Sequence, residues 1–200
     1  KNHMTGTIVS TSFKFRVQLQ KLIEHIEDAI ESFRDNFVEQ EEDQPLIIDV
    51  LPRYEMEQYN SRLDETCIVI SINTPGRKPI PVHALTLHLD IVDTATDRGI
   101  TARDALAIAI FVQKSVAKGK NHVVIHSDQG ISRSAGIAAG LMRAYHMDTK
   151  RIINDGRFCI NGRCYEYVCR AFHLPVTQKT IESDVTRNHQ MHRLYMEKYG

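Results

Sequence analysis

From residue 45 onwards the chain alternates short apolar runs with longer segments in which apolar residues recur at helical spacing. The clearest run is NHVVIH at residues 121–126. A polar loop follows it, and then SAGIAAGLMRAYH at residues 134–146, whose small residues let a helix pack closely on a sheet. Strands that alternate with helices favour parallel pairing, because each helix returns the chain to the start of the next strand. The sequence therefore predicts an α/β fold with a central, mostly parallel sheet of about four to five strands flanked by helices.

Capping residues mark the longest predicted helix, TARDALAIAIFVQKSVAKG at residues 101–119. Thr101 is predicted as its N-cap, with Asp104 at the third helical position, and Gly119 is predicted as its C-cap. Pro52 is predicted in the first turn of another helix, PRYEMEQYNSRL. The other predicted strands are LIIDVL (46–51), TCIVISI (66–72) and ALTLHLDIV (84–92), and the later helices include RCYEYVCRAF (163–172) and a final segment (183–200).

The first 43 residues have a different pattern. Residues 1–4, KNHM, are typical of a cloning-tag remnant. Residues 5–43 predict a helical extension that ends in an acidic stretch, and residues 44–200 are predicted to form the main domain. Two alternatives stay open for the extension: packing on the main domain, or contact with a partner or a second copy. Its apolar stripe consists of Leu19, Leu22, Ile23, Ile26, Ile30, Phe33 and Phe37.

Charge and hydropathy exclude several partners. Lysine plus arginine and aspartate plus glutamate number 25 each, so the formal net charge is zero. A balanced chain has no overall basic field to attract nucleic acid or an acidic membrane, and any affinity for phosphate must be local. No apolar run approaches the roughly 18 residues of a membrane span, and no signal peptide opens the chain. We therefore expect a cytoplasmic protein.

The cysteines do not indicate a metal site. They lie at positions 67, 159, 164 and 169, and the last three have a C-x4-C-x4-C spacing. This spacing matches no common zinc pattern, and no paired histidines follow at ligand spacing. Structural thiols are therefore favoured over a redox or metal role.

The loop at residues 127–133 is the strongest candidate for a ligand site, because ligands of parallel sheets bind where the carboxyl end of a strand turns into a helix. The N-terminus of the helix presents unpaired N–H groups and a partial positive charge. Gly130 permits a backbone whose successive N–H groups point inward, and Arg133 can bind two phosphate oxygens at once. The loop is thus predicted to bind an oxyanion.

Two other loop families fit this segment poorly. A nucleotide-binding P-loop needs G-x-x-x-x-G-K-[ST], but Gly130 and Gly136 are one residue too far apart and no lysine follows. The nucleophile elbow of the α/β-hydrolases needs G-x-S-x-G, and GISRS has serine in place of the second glycine. Both families are excluded.

The segment HSDQGISRS, which begins at His126, resembles the signature His-Cys-x5-Arg-[Ser/Thr] of the cysteine-dependent protein tyrosine phosphatase superfamily. Ser127 stands where that family has its nucleophilic cysteine. The stretch GISRSAG is especially similar to the dual-specificity branch and its bacterial and phage relatives, and LPRYEMEQY, ISINTPGR and LHLDIVD look like their core segments. The resemblance covers about residues 45–175 and implies a tyrosine phosphatase-like catalytic domain within residues 44–200.

The resemblance implies a covalent mechanism, in which a cysteine thiolate attacks phosphorus and water then hydrolyses the phosphocysteine. It implies that Arg133 binds phosphate, that Ser134 assists the second step and that His126 supports the loop. It implies no metal or organic cofactor. The backbone donors to phosphate would come from Asp128, Gln129, Gly130, Ile131 and Ser132.

The family also uses an aspartate from an upstream loop as general acid. Asp93 is the preferred candidate, because it falls just past the predicted strand LHLDIV, where the family places its acid. Asp90 and Asp97 are the alternatives.

A serine at position 127 predicts binding without turnover, because an alkoxide is far harder to form than a thiolate. The favoured interpretation is a phosphatase for phosphotyrosine, with phosphoserine and phosphothreonine as further candidates, present here as an engineered substrate-trapping form. The expected partner is a phosphorylated protein or peptide. One alternative is a natural pseudophosphatase that binds phosphorylated partners. Another is an RNA 5′-phosphatase with a basic rim formed by Arg151, Arg157 and Arg163.

Overall fold

The computed structural model describes residues 45–200. The tag remnant, the helical extension and its partner contact were predicted within residues 1–43 and lie outside the described residues.

Four strands form one sheet in the order β1-β4-β2-β3, and every neighbouring pair is parallel. β2, one of the two central strands, is buried at every position; five of its seven residues are apolar, and the two polar ones, Ser71 and Asn73, are buried as well. The predicted α/β class with a parallel sheet is confirmed. The strands are β1 (Ile47–Pro52), β2 (Cys67–Asn73), β3 (Leu85–Asp90) and β4 (His122–Ser127).

Helices connect and flank the strands. They are α1 (Arg53–Tyr59), α2 (Ala102–Val116), α3 (Arg133–Ala144), α4 (Lys150–Ile153), α5 (Gly162–Ala171) and α6 (Gln178–Tyr199), with a 3-10 helix at Asn60–Arg62. Pro52 ends β1 and caps α1 instead of lying in the helix. α1 is shorter than predicted, because the last part of the predicted segment, Asn60–Arg62, is a 3-10 helix. The side chain of Asn60 bonds to the main chain of Pro81 and His83. No helix in this part of the chain is long and apolar enough to cross a membrane.

Both ends of α2 carry the predicted capping residues. Thr101 and Asp104 form a reciprocal capping box at its start. At the other end the α-helical residues stop at Val116, and Ala117 follows as the first residue outside the helix. Gly119 then terminates the helix with a φ of 80°, and the amides of Gly119 and Lys120 donate to the carbonyls of Val116 and Ser115, as in a Schellman motif.

The main core lies between the sheet and helices α2, α3 and α5. α3 is buried continuously from Arg133 to Met142. A Cβ at Gly136 would lie 2.5 Å from the carbonyl oxygen of Asn161, and one at Gly140 would lie 2.7 Å from Val168. These glycines therefore permit α3 to pack closely on α5 and on Asn161, the residue that precedes α5. The sequence analysis had assigned them to the packing of this helix on the sheet. This packing fixes the start of α3, where the predicted ligand loop ends.

All four cysteines are free. Cys164 and Cys169 belong to the main core, and burial raises the pKa of Cys164 to about 12 and that of Cys169 to about 11. Both thiols are therefore protonated at neutral pH and pack as small apolar groups.

Candidate functional site

A pocket of about 410 Å³ opens at the carboxyl edge of the sheet. Ser127 ends β4 at this edge, and Arg133 begins α3 on the other side of the loop. The pocket thus lies where the sequence predicted a ligand site. Its lining residues are Arg77, Asp93, Ser127, Asp128, Gln129, Ser132 and Arg133.

Gly130 sets the shape of the loop. Its φ is 70°, and a Cβ there would lie 2.5 Å from Pro52 N and 2.7 Å from the carbonyl carbon of Leu51. The loop is therefore seated directly on the junction between β1 and α1, at a distance that only glycine permits. The amide of Gly130 donates to Ser127 Oγ at 3.2 Å.

The loop turns its carbonyl groups away from the pocket. The carbonyl oxygens of Asp128, Ile131 and Ser132 accept hydrogen bonds from the amides of Arg53, Cys159 and Asn161 at 3.1 to 3.2 Å. By contrast, three loop amides have no hydrogen-bond acceptor among residues 45–200, namely those of Gln129, Ile131 and Ser132. They are therefore available to an oxyanion.

Arg133 is only 5% exposed and is anchored along one edge of its guanidinium. Nη1 donates to the carbonyl of Ile91 at 2.7 Å and to Thr74 Oγ1 at 3.3 Å. Nη2 donates to Asp128 at 3.3 Å, and Nε lies 3.8 Å from Asp93 Oδ2 with no hydrogen-bond partner in the described part of the chain. A buried N–H without a partner is costly, and a bound oxyanion would satisfy it.

Asp128 contributes a carboxylate as well as backbone to the site. It accepts hydrogen bonds from Thr74 and from Arg77, the latter at 2.7 Å. Burial opposes its ionisation, but the hydrogen bonds from Thr74 and Arg133 and the charge of Arg77 together lower the pKa of Asp128 below its ordinary value. The pocket therefore contains two arginines and two carboxylates, Asp93 being the second.

Ser127 and Ser134 lie side by side beneath the loop, with their Oγ atoms 2.8 Å apart. Both are buried. The only other hydrogen-bond partner of Ser127 Oγ within residues 45–200 is the amide of Gly130. Neither the Ser134 hydroxyl nor the Gly130 amide is a base, so no hydrogen-bond partner of Ser127 within residues 45–200 would remove its hydroxyl proton.

His126 precedes Ser127 in β4 and is 1% exposed. Consecutive strand residues point to opposite faces, so its ring is directed away from Ser127. Burial lowers the pKa of His126 to about 4, and neither ring nitrogen has a hydrogen-bond partner among the described residues. The ring is therefore neutral at pH 7, and its role as a support of the loop stays a prediction.

The buried neutral His126 predicts a loss of stability on acidification. Its pKa falls from an ordinary 6.5 to about 4, so between these values the unfolded chain binds the extra proton. The free energy of unfolding should decrease as the pH falls through this window, by roughly 3 kcal/mol at most. Urea denaturation between pH 7.5 and pH 4.5 measures the decrease. His126→Gln should make the free energy of unfolding depend less on pH, whereas His83→Gln, at an exposed position, should leave the pH dependence unchanged. If the free energy of unfolding of His126→Gln fell with pH as steeply as that of the parent, His126 would not be the group responsible.

The three candidate acids are placed differently. Asp93 lines the pocket, where its Oδ1 accepts from Ser132 Oγ and from Asn161 Nδ2, both at 2.9 Å. Asp90 ends β3 and Asp97 lies further along the following loop; both are exposed and neither lines the pocket. The structure thus brings only Asp93 of the three to the pocket beside the loop 127–133. Its role as an acid stays a prediction.

The arginines suggested for a basic rim do not line this pocket. Arg157 pairs with Asp155 at 2.6 Å. Arg163 donates to the carbonyl of Ile100 and lies 4.5 Å from the centre of the Tyr167 ring. Arg151 is exposed on α4.

Three residues of the site are absent from the sequence prediction. Thr74 and Arg77 lie in the turn after β2, NTPGRKP. They could have been found, because the carboxyl ends of neighbouring parallel strands meet at one edge. Asn161 precedes α5, about thirty residues after the loop, and only the packing of α5 on α3 brings it to Asp93.

No family model and no curated protein matches the chain. Three similar solved structures are as follows. The human tyrosine phosphatase-like serine/threonine/tyrosine-interacting protein is 17% identical over 74% of this chain and 93% of its own, with a TM-score of 0.40. Human DUSP28 is 12% identical over 74% and 94%, with a TM-score of 0.40. DUSP15 is 16% identical over 80% and 96%, with a TM-score of 0.43. At these TM-scores the likenesses carry no weight for function, and the α/β class rests on the strands and helices themselves.

Proposed function

We propose that residues 45–200 form a phosphatase-like domain that binds phosphomonoesters in the loop 127–133. With cysteine at position 127, the domain would hydrolyse phosphotyrosine, and also phosphoserine or phosphothreonine, through a phosphocysteine. With Ser127, the chain would hold the phosphoester without cleaving it. The observation that carries this proposal is the buried Nε of Arg133, which has no hydrogen-bond partner within residues 45–200. Gln129 and Ser132, two of the residues whose amides lack an acceptor, line the same pocket as Arg133.

The site supplies a group for each step of that reaction. The loop amides and Arg133 would bind the non-bridging oxygens of the phosphoryl group. A thiolate at position 127 would form the S–P bond while the ester P–O bond breaks, and Asp93 would give its proton to the leaving oxygen. Water would then attack phosphorus, Asp93 would take its proton, and the Ser134 hydroxyl would donate to the departing sulfur. The 2.8 Å contact between Ser127 and Ser134 supports this last role.

The arrangement supports an enzyme whose nucleophile has been replaced more than a protein built only to bind. Binding requires the loop and Arg133, but it requires neither Asp93 beside the pocket nor a hydroxyl beside the nucleophile position. We therefore favour the substrate-trapping form over the natural pseudophosphatase. The phosphorylated protein partner and the cytoplasmic location belong to the same proposal. Arg151, Arg157 and Arg163 do not line the pocket, so they give no support to the RNA 5′-phosphatase.

Binding by the chain as it stands tests the proposal. A phosphotyrosine peptide should bind to the parent chain. Arg133→Lys should raise the Kd of the peptide by about 10- to 100-fold, because lysine keeps the positive charge but lacks the planar guanidinium that can donate two parallel hydrogen bonds. Isothermal titration calorimetry measures both values. Arg157→Lys, whose arginine pairs with Asp155 outside the pocket, is the matched control. Equal affinities for the parent and Arg133→Lys would show that the loop is not the phosphate site.

A further inference from the structure

Asn161 uses both ends of its side chain and is 8% exposed. Its Oδ1 accepts from the amide of Cys164 at 3.1 Å, which makes it the N-cap of α5. Its Nδ2 donates to Asp93 Oδ1 at 2.9 Å and to the carbonyl of Thr94 at 3.3 Å. The same residue therefore starts a helix and holds the loop that carries Asp93.

These contacts fix the orientation of the amide. The reversed orientation would place the NH2 group of Asn161 against the N–H of Cys164, and its oxygen against the carboxylate of Asp93. Both contacts would be repulsive, so the cap on α5 forces the donor end towards Asp93.

The main chain of Asn161 is tied to the phosphate loop. Its N–H donates to the carbonyl of Ser132 at 3.2 Å, and its own carbonyl lies so close to Gly136 that a Cβ there would be 2.5 Å away. Asn161 cannot shift relative to the loop without breaking these contacts. It therefore fixes the position of Asp93 relative to the phosphate loop.

The two oxygens of Asp93 are thereby made unequal. Asn161 and Ser132 both donate to Oδ1, whereas Oδ2 lies 3.8 Å from Arg133 Nε, the atom that would contact phosphate. Asp93 is 43% exposed and follows the end of β3, so without these donors its carboxylate would be free to turn to solvent.

We propose that Asn161 is a positioning residue that holds Asp93 over the phosphate loop and leaves Oδ2 as the oxygen that transfers the proton. This rests on the proposed function. Asn161 touches neither the phosphoester nor the nucleophile, and it acts through Asp93.

The first test uses the chain as it stands, with tungstate as a tetrahedral dianion. Asp93→Asn removes a negative charge beside the bound tungstate and should lower the Kd of tungstate by about threefold to tenfold. Asn161→Ser keeps an N-cap residue, but serine is too short to reach Asp93. The carboxylate of Asp93 could then turn away from the anion, so Asn161→Ser should show part of the same decrease in Kd. In the Asp93→Asn background, Asn161→Ser should have no further effect. An equal effect in both backgrounds, or no effect in either, would overturn the proposal.

The second test uses the Ser127→Cys chain and two substrates that differ in leaving group. Phenyl phosphate needs a proton on its leaving oxygen, and 2,4-dinitrophenyl phosphate does not. Asn161→Ser should lower kcat/KM for phenyl phosphate by about 10- to 100-fold and change the other substrate little. The loss should again be absent in the Asp93→Asn background. Equal losses on both substrates would mean a purely structural role.

Two controls separate stability from positioning. Asn161→Asp also keeps the cap but places a carboxylate against Asp93, so it should not rescue phenyl phosphate hydrolysis. Thr101→Ala removes the N-cap of α2, which lies outside the site. It should not change the ratio of the kcat/KM values for the two substrates. If Ser127→Cys gives no turnover while the tungstate cycle shows coupling, the catalytic proposal is wrong and so is the proton-transfer role of Oδ2, but the positioning of Asp93 by Asn161 is supported. If turnover depends on Asp93 but not on Asn161, only the proposed positioning role of Asn161 is contradicted. If the parent does not bind tungstate, both the proposed function and the positioning role are contradicted.

Discussion

Ser127→Cys is expected to give measurable hydrolysis of p-nitrophenyl phosphate, on the order of 10⁴-fold above the Ser127 chain, since loss of a nucleophile costs covalent enzymes as much or more. The replaced atom lies at the end of β4 with the amide of Gly130 at 3.2 Å. Gln129, Ser132 and Arg133 line the same pocket as this position, and their amides and guanidinium would favour a thiolate at neutral pH. Initial rates of p-nitrophenol release measure the gain.

Two variants show whether such turnover uses this site. Ser127→Ala should stay inactive, and Ser127→Cys combined with Arg133→Lys should lose most of the activity. A cysteine chain that binds a phosphopeptide but releases no phosphate would support the natural pseudophosphatase. Faster hydrolysis of triphosphate-ended RNA than of a phosphopeptide would support the RNA 5′-phosphatase.

Gly130→Ala is expected to abolish tungstate binding and to destabilise the domain. The new Cβ would overlap the main chain at Pro52 and Leu51, and the residue would keep an unfavourable φ of 70°. Overpacking costs about 1 to 3 kcal/mol and a left-handed residue about 1 to 2 kcal/mol, so we expect a loss of roughly 2 to 5 kcal/mol. Relieving the overlap would move the loop off β1, which misplaces the amides that face the pocket. Urea denaturation and calorimetry measure the two effects.

Gly119→Ala is the matched control. Gly119 has a φ of 80°, but nothing lies within 4 Å of the position that its Cβ would take. This variant therefore tests the conformational cost alone, about 1 to 2 kcal/mol, and should bind tungstate like the parent. If Gly130→Ala matched Gly119→Ala in both measurements, the close seating of the loop on β1 would have no role in anion binding.

The sheet could be predicted because its strands carry their own signals. β2 is buried along its whole length, and its sequence is mostly apolar, with the run Cys67–Ile70 followed by Ile72. The start of α2 was predictable for a similar reason, since a capping box involves residues only three positions apart. Its end was predictable as well, because the left-handed glycine that closes it, Gly119, bonds only to residues of the last turn.

Only part of the candidate site could be predicted. The loop from Ser127 to Arg133 is contiguous, so its residue types and spacing are visible in the sequence. Asp93 could be named only with the help of the resemblance, and Asn161 could not be found at all, because its contacts depend on how α5 packs on α3. Local patterns therefore predict the binding loop, whereas the groups that orient it come from tertiary structure.

The anchoring of Arg133 has a consequence for the entropy of binding. A free arginine side chain loses about 2 kcal/mol of rotamer entropy when it is immobilised. Here Ile91 and Thr74 hold Nη1, so this loss occurs when the chain folds. If the proposed oxyanion binds, it would meet a guanidinium that is already oriented and would bear little of that cost. The immobilisation of Arg133 would then lower the stability of the domain and raise its affinity for the anion.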